Sequence, residues 1–141
     1  NAKLETLSFG NNQLKEIDVS KNAELKKFDC DGNLLTKLDV SKNAKLETLN
    51  CGNNQLKEID VSKNTALENL YVDGNALTKL DVSKNTKLAS LSCFGNEISD
   101  ARERYDLLSF RCFYQEAFSE NFFLREGREE FYVIGRFSVV F

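Results

Sequence analysis

Every 21 residues the sequence returns to the same pattern. Five successive units begin with leucine and carry asparagine eight positions later, with no insertion or deletion between units: Leu4, Leu25, Leu46, Leu67 and Leu88, then Asn12, Asn33, Asn54, Asn75 and Asn96. A unit of this length cannot bury its apolar side chains alone, so its copies must stack and share one continuous core. The repeat therefore predicts a solenoid over residues 1–98, in which each position of the unit becomes a column of side chains along the stack.

Each unit consists of two similar halves. In the first unit, LETLSFGNN is echoed ten residues later by LKEIDVSKN. Apolar and polar residues alternate at residues 7–9 and again at 17–19, which is typical of half-buried strands. We therefore predict two short parallel strands in each 21-residue coil. Units one and three agree at 17 of 21 positions and units two and four at 14 of 21, more than neighbouring units do, which indicates duplication of a 42-residue pair.

The pattern LxxLxCxxNxLxxLDVSxNxx resembles the leucine-rich repeat of bacterial proteins, in the type called IRREKO that alternates halves of ten and eleven residues. The resemblance covers roughly residues 3 to 98. It implies a parallel sheet along one face, an asparagine ladder under the turns and a bacterial origin, with a secreted or cell-surface location. It indicates no particular ligand, because one fold serves many partners.

The asparagine columns have a physical reason. Turns leave backbone N–H and C=O groups facing the interior, and a side-chain amide supplies both a donor and an acceptor for them. We therefore predict a structural ladder in two columns: Asn12, Asn33, Asn54, Asn75 and Asn96, and Asn22, Asn43, Asn64 and Asn85.

Cysteines share one inward column with plain hydrophobic residues. Cys30, Cys51 and Cys93 occupy the position that Phe9 and Val72 fill in other units. Buried thiols packing as small apolar groups are therefore the simplest interpretation. A disulfide framework and a metal site are weaker alternatives, since no C-x-x-C spacing occurs.

Residues 99–141 differ from the repeats in composition. They contain all six arginines and 11 of the 15 aromatic residues. We predict a C-terminal capping or docking segment of α+β or β structure, with a short helix after Asp100 followed by strands and a hairpin around residues 126–127. A longer helix over residues 100–118 is the alternative, since short apolar runs do not separate the two. This segment covers the open end of the core or joins two copies of the chain into a homodimer, and Cys112 within it has no assignable role.

Several classes of function are disfavoured by composition. The net charge of −3 and the isoelectric point near 5.1 argue against nucleic-acid binding, and no apolar run is long enough for membrane insertion. Histidine is absent, so the commonest general base and zinc ligand is missing, and we predict a chain that is not an enzyme and uses no metal or cofactor. The start of the chain shows no signal-peptide pattern, and its first leucine has no polar cap before it, which predicts missing repeats upstream.

Two outward columns behave differently from one another. The second half of the unit keeps Asp-Val-Ser in four units, beside a column that alternates in sign (Glu16, Lys37, Glu58, Lys79) and is interpreted as self-compensated, with calcium binding a weaker alternative. The first half varies from unit to unit. We predict that this variable strand face binds a protein, or a glycan, through Lys27, Asp29, Asn50, Asn69, Tyr71, Asp73 and Ser92. The alternatives are neutral drift on a solvated surface, and a scaffold whose aromatic tail mediates self-association.

Overall fold

A computed structural model describes residues 1–98 and two short segments, 124–126 and 129–131. Five strands form one parallel sheet in chain order: β1 (Thr6–Ser8), β2 (Lys27–Asp29), β3 (Thr48–Asn50), β4 (Asn69–Tyr71) and β5 (Ser90–Ser92). Each residue pairs with the one 21 positions later, as Leu7 does with Phe28. The predicted repeat solenoid with parallel strands is therefore confirmed, and one unit of sequence forms one coil.

The core is a continuous column of aliphatic side chains between the two halves of each coil. Leu25, Leu46 and Leu67 are fully buried, as are Leu49 and Leu70 at the centres of their strands. The first coil has a neighbour on one side only, and its Leu4, Leu7 and Ile17 are correspondingly half-buried. Burial of each coil thus depends on the coils stacked against it, as expected for a solenoid.

The prediction of a second strand in each coil is wrong. Residues 17–19 do not form a strand. In the described part of the chain, no backbone hydrogen bond joins residues 15–21 to the next coil. Asp18 instead accepts a hydrogen bond from the backbone N–H of Ser20 at 2.8 Å, and the same bond recurs in the next three coils. The alternation of apolar and polar residues indicates which side chains are buried. It does not indicate that the backbone N–H of Ser20 is bonded within a local turn and not to the next coil.

The tight turn after each strand alternates between two dipeptides, Gly-Asn in coils 1 and 3 and Asp-Gly in coils 2 and 4. Its second residue always has a positive φ: Asn11 (55°), Gly32 (64°), Asn53 (47°) and Gly74 (58°). Asparagine and glycine are the residues that adopt this conformation most readily.

Side chains at these turns occupy the space above the glycines of the next coil. A Cβ added to Gly32 would lie 2.7 Å from Oδ1 of Asn11, and one added to Gly52 would lie 2.9 Å from Oδ1 of Asp31. Large and small residues therefore interlock from coil to coil. This interlock explains in structural terms why the sequence repeats more closely every 42 residues than every 21.

Beyond the solenoid, β6 (Leu124–Glu126) and β7 (Glu129–Phe131) pair antiparallel, with Leu124 opposite Phe131. The hairpin predicted around residues 126–127 is formed by these two strands. The predicted helix after Asp100, the capping or docking role of residues 99–141 and Cys112 lie outside the described residues.

Candidate ligand-binding face

The outward side chains of β1–β5, together with Asp31 and Asp73 just beyond the strands, make one continuous surface, called here the strand face. The register places Asp29, Asn50, Tyr71 and Ser92 in one row. A second row contains Lys27, Thr48, Asn69 and Ser90. All seven residues predicted to bind a ligand thus lie on the strand face, and side chains that are 21 residues apart in sequence are neighbours on it.

Hydrogen bonds within the strand face fix several of its side chains. Asp73 accepts from the hydroxyl of Ser92 at 2.6 Å and from the backbone N–H of Phe94 at 2.8 Å. Asn69 donates to the Thr48 hydroxyl at 3.2 Å. Because these side chains are already held in one arrangement, a ligand contacting them would have to order few rotamers on binding.

A similar network holds the other end of the row. Asp29 accepts hydrogen bonds from the Ser8 hydroxyl and from the backbone N–H of Asp31, both at 3.2 Å. Asn53 donates its amide to Asp31 at 3.0 Å. The two aspartates are thereby oriented along the turn edge of the sheet.

Tyr71 and Lys27 are not engaged in this way. Among the described residues neither the Tyr71 hydroxyl nor the Lys27 ammonium group has a hydrogen-bond or ion-pair partner. Tyr71 is half-buried and Lys27 exposed. Tyrosine, which combines an apolar ring with a polar hydroxyl, is enriched among the residues that anchor protein interfaces.

The strand face and the residues that immediately precede its strands are negatively charged. They hold six carboxylates and two ammonium groups: Glu5, Asp29, Asp31, Glu47, Glu68 and Asp73, against Lys26 and Lys27. Of these, Lys26 and Glu5 pair with each other at 3.0 Å, and the carboxylate raises the pKa of Lys26. Residues 1–98 contain 14 acidic side chains and 13 lysines in all, so the negative charge of this part of the chain is concentrated on this side.

An asparagine ladder supports the turns below the strand face. Asn54 donates to the carbonyl oxygens of Cys30 in the preceding coil and of Cys51 and Gly52 in its own, at 2.8–3.2 Å. Its Oδ1 accepts from the backbone N–H of Leu35 at 3.0 Å. Asn33, Asn75 and Asn96 make the equivalent bonds, so this column uses both ends of the amide.

The second asparagine column uses one end only. Asn64 donates to the carbonyl oxygens of Val40 and Asn43, at 3.0 and 2.9 Å, and both acceptors belong to the preceding coil. Its Oδ1 is buried without a hydrogen-bond partner, as are those of Asn43 and Asn85. A buried acceptor in this state costs free energy, so this ladder stabilises the stack less than the first.

The cysteine column is buried in the core. Cys30 and Cys51 are free thiols, and burial raises the pKa of Cys30 to about 12 and that of Cys51 well above its usual range. Both therefore stay protonated and unreactive near neutral pH. The prediction of a free thiol is wrong for Cys93, which is buried but disulfide-bonded. The sequence carries no signal that separates Cys93 from the other two.

The aspartate column of the second half-coil has a local structural role. Hydrogen bonds from Ser62 lower the pKa of Asp60, with a smaller contribution from Lys63, and Asp39 is affected likewise by Ser41 and Lys42. Within the described residues, no three histidine, cysteine or acidic side chains come together as metal ligands would. That same part of the chain contains no helix long and apolar enough to cross a bilayer.

No protein-family model matches the chain, and no curated protein matches it. Solved structures do. The functional domain of InlJ from Listeria monocytogenes, which includes a cysteine ladder, is 42% identical with a TM-score of 0.66, over 67% of this chain and 21% of that one. A leucine-rich repeat protein of Leptospira interrogans is 25% identical with a TM-score of 0.63, over 68% of this chain and 26% of that one.

Internalin C2 from Listeria monocytogenes shares the fold with a TM-score of 0.64 at 23% identity, over 70% of this chain and 46% of that one. The chain thus spans between about a fifth and a half of these neighbours. In each comparison the matched share of this chain is about the length of residues 1–98. The 21-residue period, the parallel sheet in chain order and these neighbours together show that the chain has the leucine-rich repeat fold of these bacterial proteins.

Proposed function

We propose that this chain is a non-catalytic module that binds a protein ligand on the strand face. Tyr71 is the anchor, and Lys27, Asp29, Asn50, Asn69, Asp73 and Ser92 are the polar contacts. The observation that carries the proposal is the contrast on this face between oriented polar side chains and a half-buried tyrosine whose hydroxyl has no partner among the described residues. The similarity to bacterial leucine-rich repeat proteins supports an interaction role.

The charge of the strand face indicates which class of protein ligand it favours. Six carboxylates against two ammonium groups favour a partner with a positively charged surface, because complementary charge speeds encounter and excludes acidic competitors. We further propose that the module acts at or outside the surface of a bacterium, in keeping with the family resemblance. Antibody labelling of intact and permeabilised cells checks this location, and signal from permeabilised cells alone contradicts it.

The test uses Tyr71→Ala. Proteins captured by the immobilised wild-type chain are identified, and their affinities for wild type and variant are measured by surface plasmon resonance. Loss of an interface anchor weakens binding by about 30-fold, equivalent to roughly 2 kcal/mol. The melting temperature should stay unchanged, because Tyr71 is only half-buried and lies outside the core.

Leu34→Ala is the matched control, since Leu34 is an exposed apolar residue away from the strand face. Equal binding by wild type and Tyr71→Ala, or equal loss in both variants, contradicts the proposal. Removal of glycans from the captured protein separates the two ligand classes. Binding that disappears after deglycosylation assigns the strand face to a glycan instead of a protein.

A further inference from the structure

A second candidate surface lies on the other half of the coils. Residues of coils 1–4 enclose a groove of about 880 Å³, called here the DVS groove. Its floor is apolar and includes Leu38 and Ile59, each 8% exposed. One wall is the column Glu16, Lys37, Glu58 and Lys79, and the other contains Asp39, Asp60 and Asp81. A cavity of this volume lies within the range of ligand-binding clefts.

The alternating wall of the DVS groove is not self-compensated by ion pairs. Elsewhere, opposite charges 21 residues apart do pair: Lys26 with Glu5 at 3.0 Å, and Lys45 with Glu24 at 2.6 Å. Glu58 has lysines at the same spacing on both sides, yet among the described residues it forms no such pair. The column interpreted as self-compensated therefore alternates in sign without such ion pairs in the described part of the chain, and its charged groups are exposed.

Glutamates line the DVS groove in every second coil, at Glu16 and Glu58, and lysines take their place in the other coils, at Lys37 and Lys79. Glu58 and Asp60 of coil 3 both line it, whereas coil 4 places Lys79 beside Asp81. Each aspartate is followed three residues later by a lysine in all four coils, and Lys15 and Lys57, which precede the two glutamates, are not among the residues that line the groove. With neighbouring coils about 5 Å apart, coils 1 and 3, called here the acidic coils because this wall position is glutamate in them, lie roughly 10 Å apart.

We propose that the DVS groove binds a segment in polyproline II conformation that carries lysine or arginine at every third residue. That helix has three residues per turn and rises about 3.1 Å per residue, so residues i and i+3 lie on one side about 9.3 Å apart. This distance matches the spacing of the acidic coils. In a β-strand, side chains on one side lie about 6.6 or 13 Å apart and cannot match it.

Lysines of coils 2 and 4 increase the selectivity for a segment whose basic residues are spaced over one whose basic residues are contiguous. Lys37 and Lys79 stand between and beyond the acidic coils, so a segment with contiguous basic residues places like charges together. The apolar residues of the segment rest on the aliphatic floor around Leu38 and Ile59. A polyproline II segment is already extended before binding, and it loses little conformational entropy in a shallow groove.

The test compares two labelled peptides of equal composition by fluorescence anisotropy at low ionic strength. One repeats Pro-Pro-Lys four times, and the other groups its four lysines in one block among the same eight prolines. The spaced peptide should bind the full chain about ten-fold more tightly than the block peptide. Equal affinity for the two peptides, or no binding of the spaced one, overturns the proposal.

Two variants of equal charge locate the binding. Glu58→Lys should weaken the spaced peptide by about ten-fold, whereas Glu47→Lys, on the edge of the strand face, should leave its affinity unchanged. Equal losses in both would mean that only net charge matters and would contradict the DVS groove. Both positions are outside the core, and a melting curve of each variant verifies its fold. Tyr71→Ala should bind the spaced peptide normally, which separates this proposal from that for the strand face.

Discussion

The two halves of each coil reach the same stacked geometry by different means. In the strand half, backbone hydrogen bonds join neighbouring coils, for example from Cys51 N–H to the carbonyl oxygen of Tyr71 at 2.9 Å. In the Asp-Val-Ser half, side chains replace that ladder: Asp60 holds the Ser62 N–H, and Asn64 reaches the carbonyl oxygen of Val40. Outward residues of the strands vary from coil to coil, whereas Asp-Val-Ser, whose aspartate closes a turn, is the same in four coils.

This contrast affects how repeat positions that keep the same residue in every coil should be interpreted. The invariant aspartates are exposed, yet each one closes a turn, so their identity is fixed by local structure. On the strand face, Asp29 and Asn50 accept a similar bond from the backbone N–H two residues later, at 3.2 and 3.3 Å, but serine or tyrosine occupies this position in the other coils, so its identity is free to differ. Variation therefore marks a surface on which binding specificity can change without loss of the fold.

The largest expected difference is between the two asparagine columns. Asn54→Ala removes four hydrogen bonds and leaves buried backbone groups unpaired, which should cost about 3 kcal/mol of unfolding free energy. Asn64→Ala removes two donors together with an acceptor that already lacks a partner, and should cost about 1 kcal/mol. Urea denaturation measures both. Equal losses of unfolding free energy in the two variants would show that the unpaired Oδ1 atom of Asn64 does not reduce the stabilisation by its column.

The interlocked turns give a smaller effect with a close control. Gly74→Ala introduces a Cβ at a φ of 58° and 2.6 Å from Oδ1 of Asn53. Gly95→Ala has a similar φ of 63°, but among the described residues its Cβ meets only Gly74, at 3.5 Å. Conformational strain should cost about 1–2 kcal/mol in both variants, and displacement of Asn53 should make Gly74→Ala the more destabilised. Thermal unfolding compares them, and identical melting temperatures would remove the interlock as a stabilising contact.

The aspartate turns should show a small effect on stability, and Asp60→Ala should lower the unfolding free energy slightly, because this residue caps one exposed backbone N–H. Asn69→Ala on the strand face should stay within about 0.5 kcal/mol of wild type. Chemical denaturation of both variants tests the contrast between the halves. A larger loss for Asn69→Ala would reverse it.

The same turns predict an acid dependence. The pKa of Asp60 lies below its ordinary value of 3.8, so its stabilisation is complete above that value and is lost as the pH falls through the lowered pKa. A variant with Asp39→Asn and Asp60→Asn keeps an acceptor that does not titrate. Its unfolding free energy should therefore fall less steeply than that of wild type below about pH 4. Parallel curves would contradict this role for the aspartates.

Much of the fold follows from the sequence because stacking turns a period into columns. The position of Leu49 in its unit is enough to place it at the centre of a strand and in the core. The second strand could not be excluded in this way, since burial alternates at residues 17–19 whether or not a ladder forms. Asp18 decides the outcome through a bond to Ser20 that a pattern of hydrophobicity does not register.

The candidate sites were predictable to different extents. The row from Asp29 to Ser92 follows directly from the strand register. The DVS groove did not follow, although the alternation of Glu16, Lys37, Glu58 and Lys79 is visible in the sequence. Whether opposite charges in one column pair depends on side-chain reach, and the sequence alone does not distinguish this column from that of Glu5 and Lys26.

Because Gly-Asn and Asp-Gly turns alternate, each coil packs correctly only against a coil with the other type of turn. Removing residues 25–45, one whole unit, would bring Asn11 against Asn53 and Gly10 against Gly52, so that two large residues compete for one space and two glycines leave a gap. Removing residues 25–66 instead brings Asn11 over Gly74, the combination that the fold already contains. Arrays of this kind can therefore lengthen or shorten by even numbers of coils without rebuilding their turns.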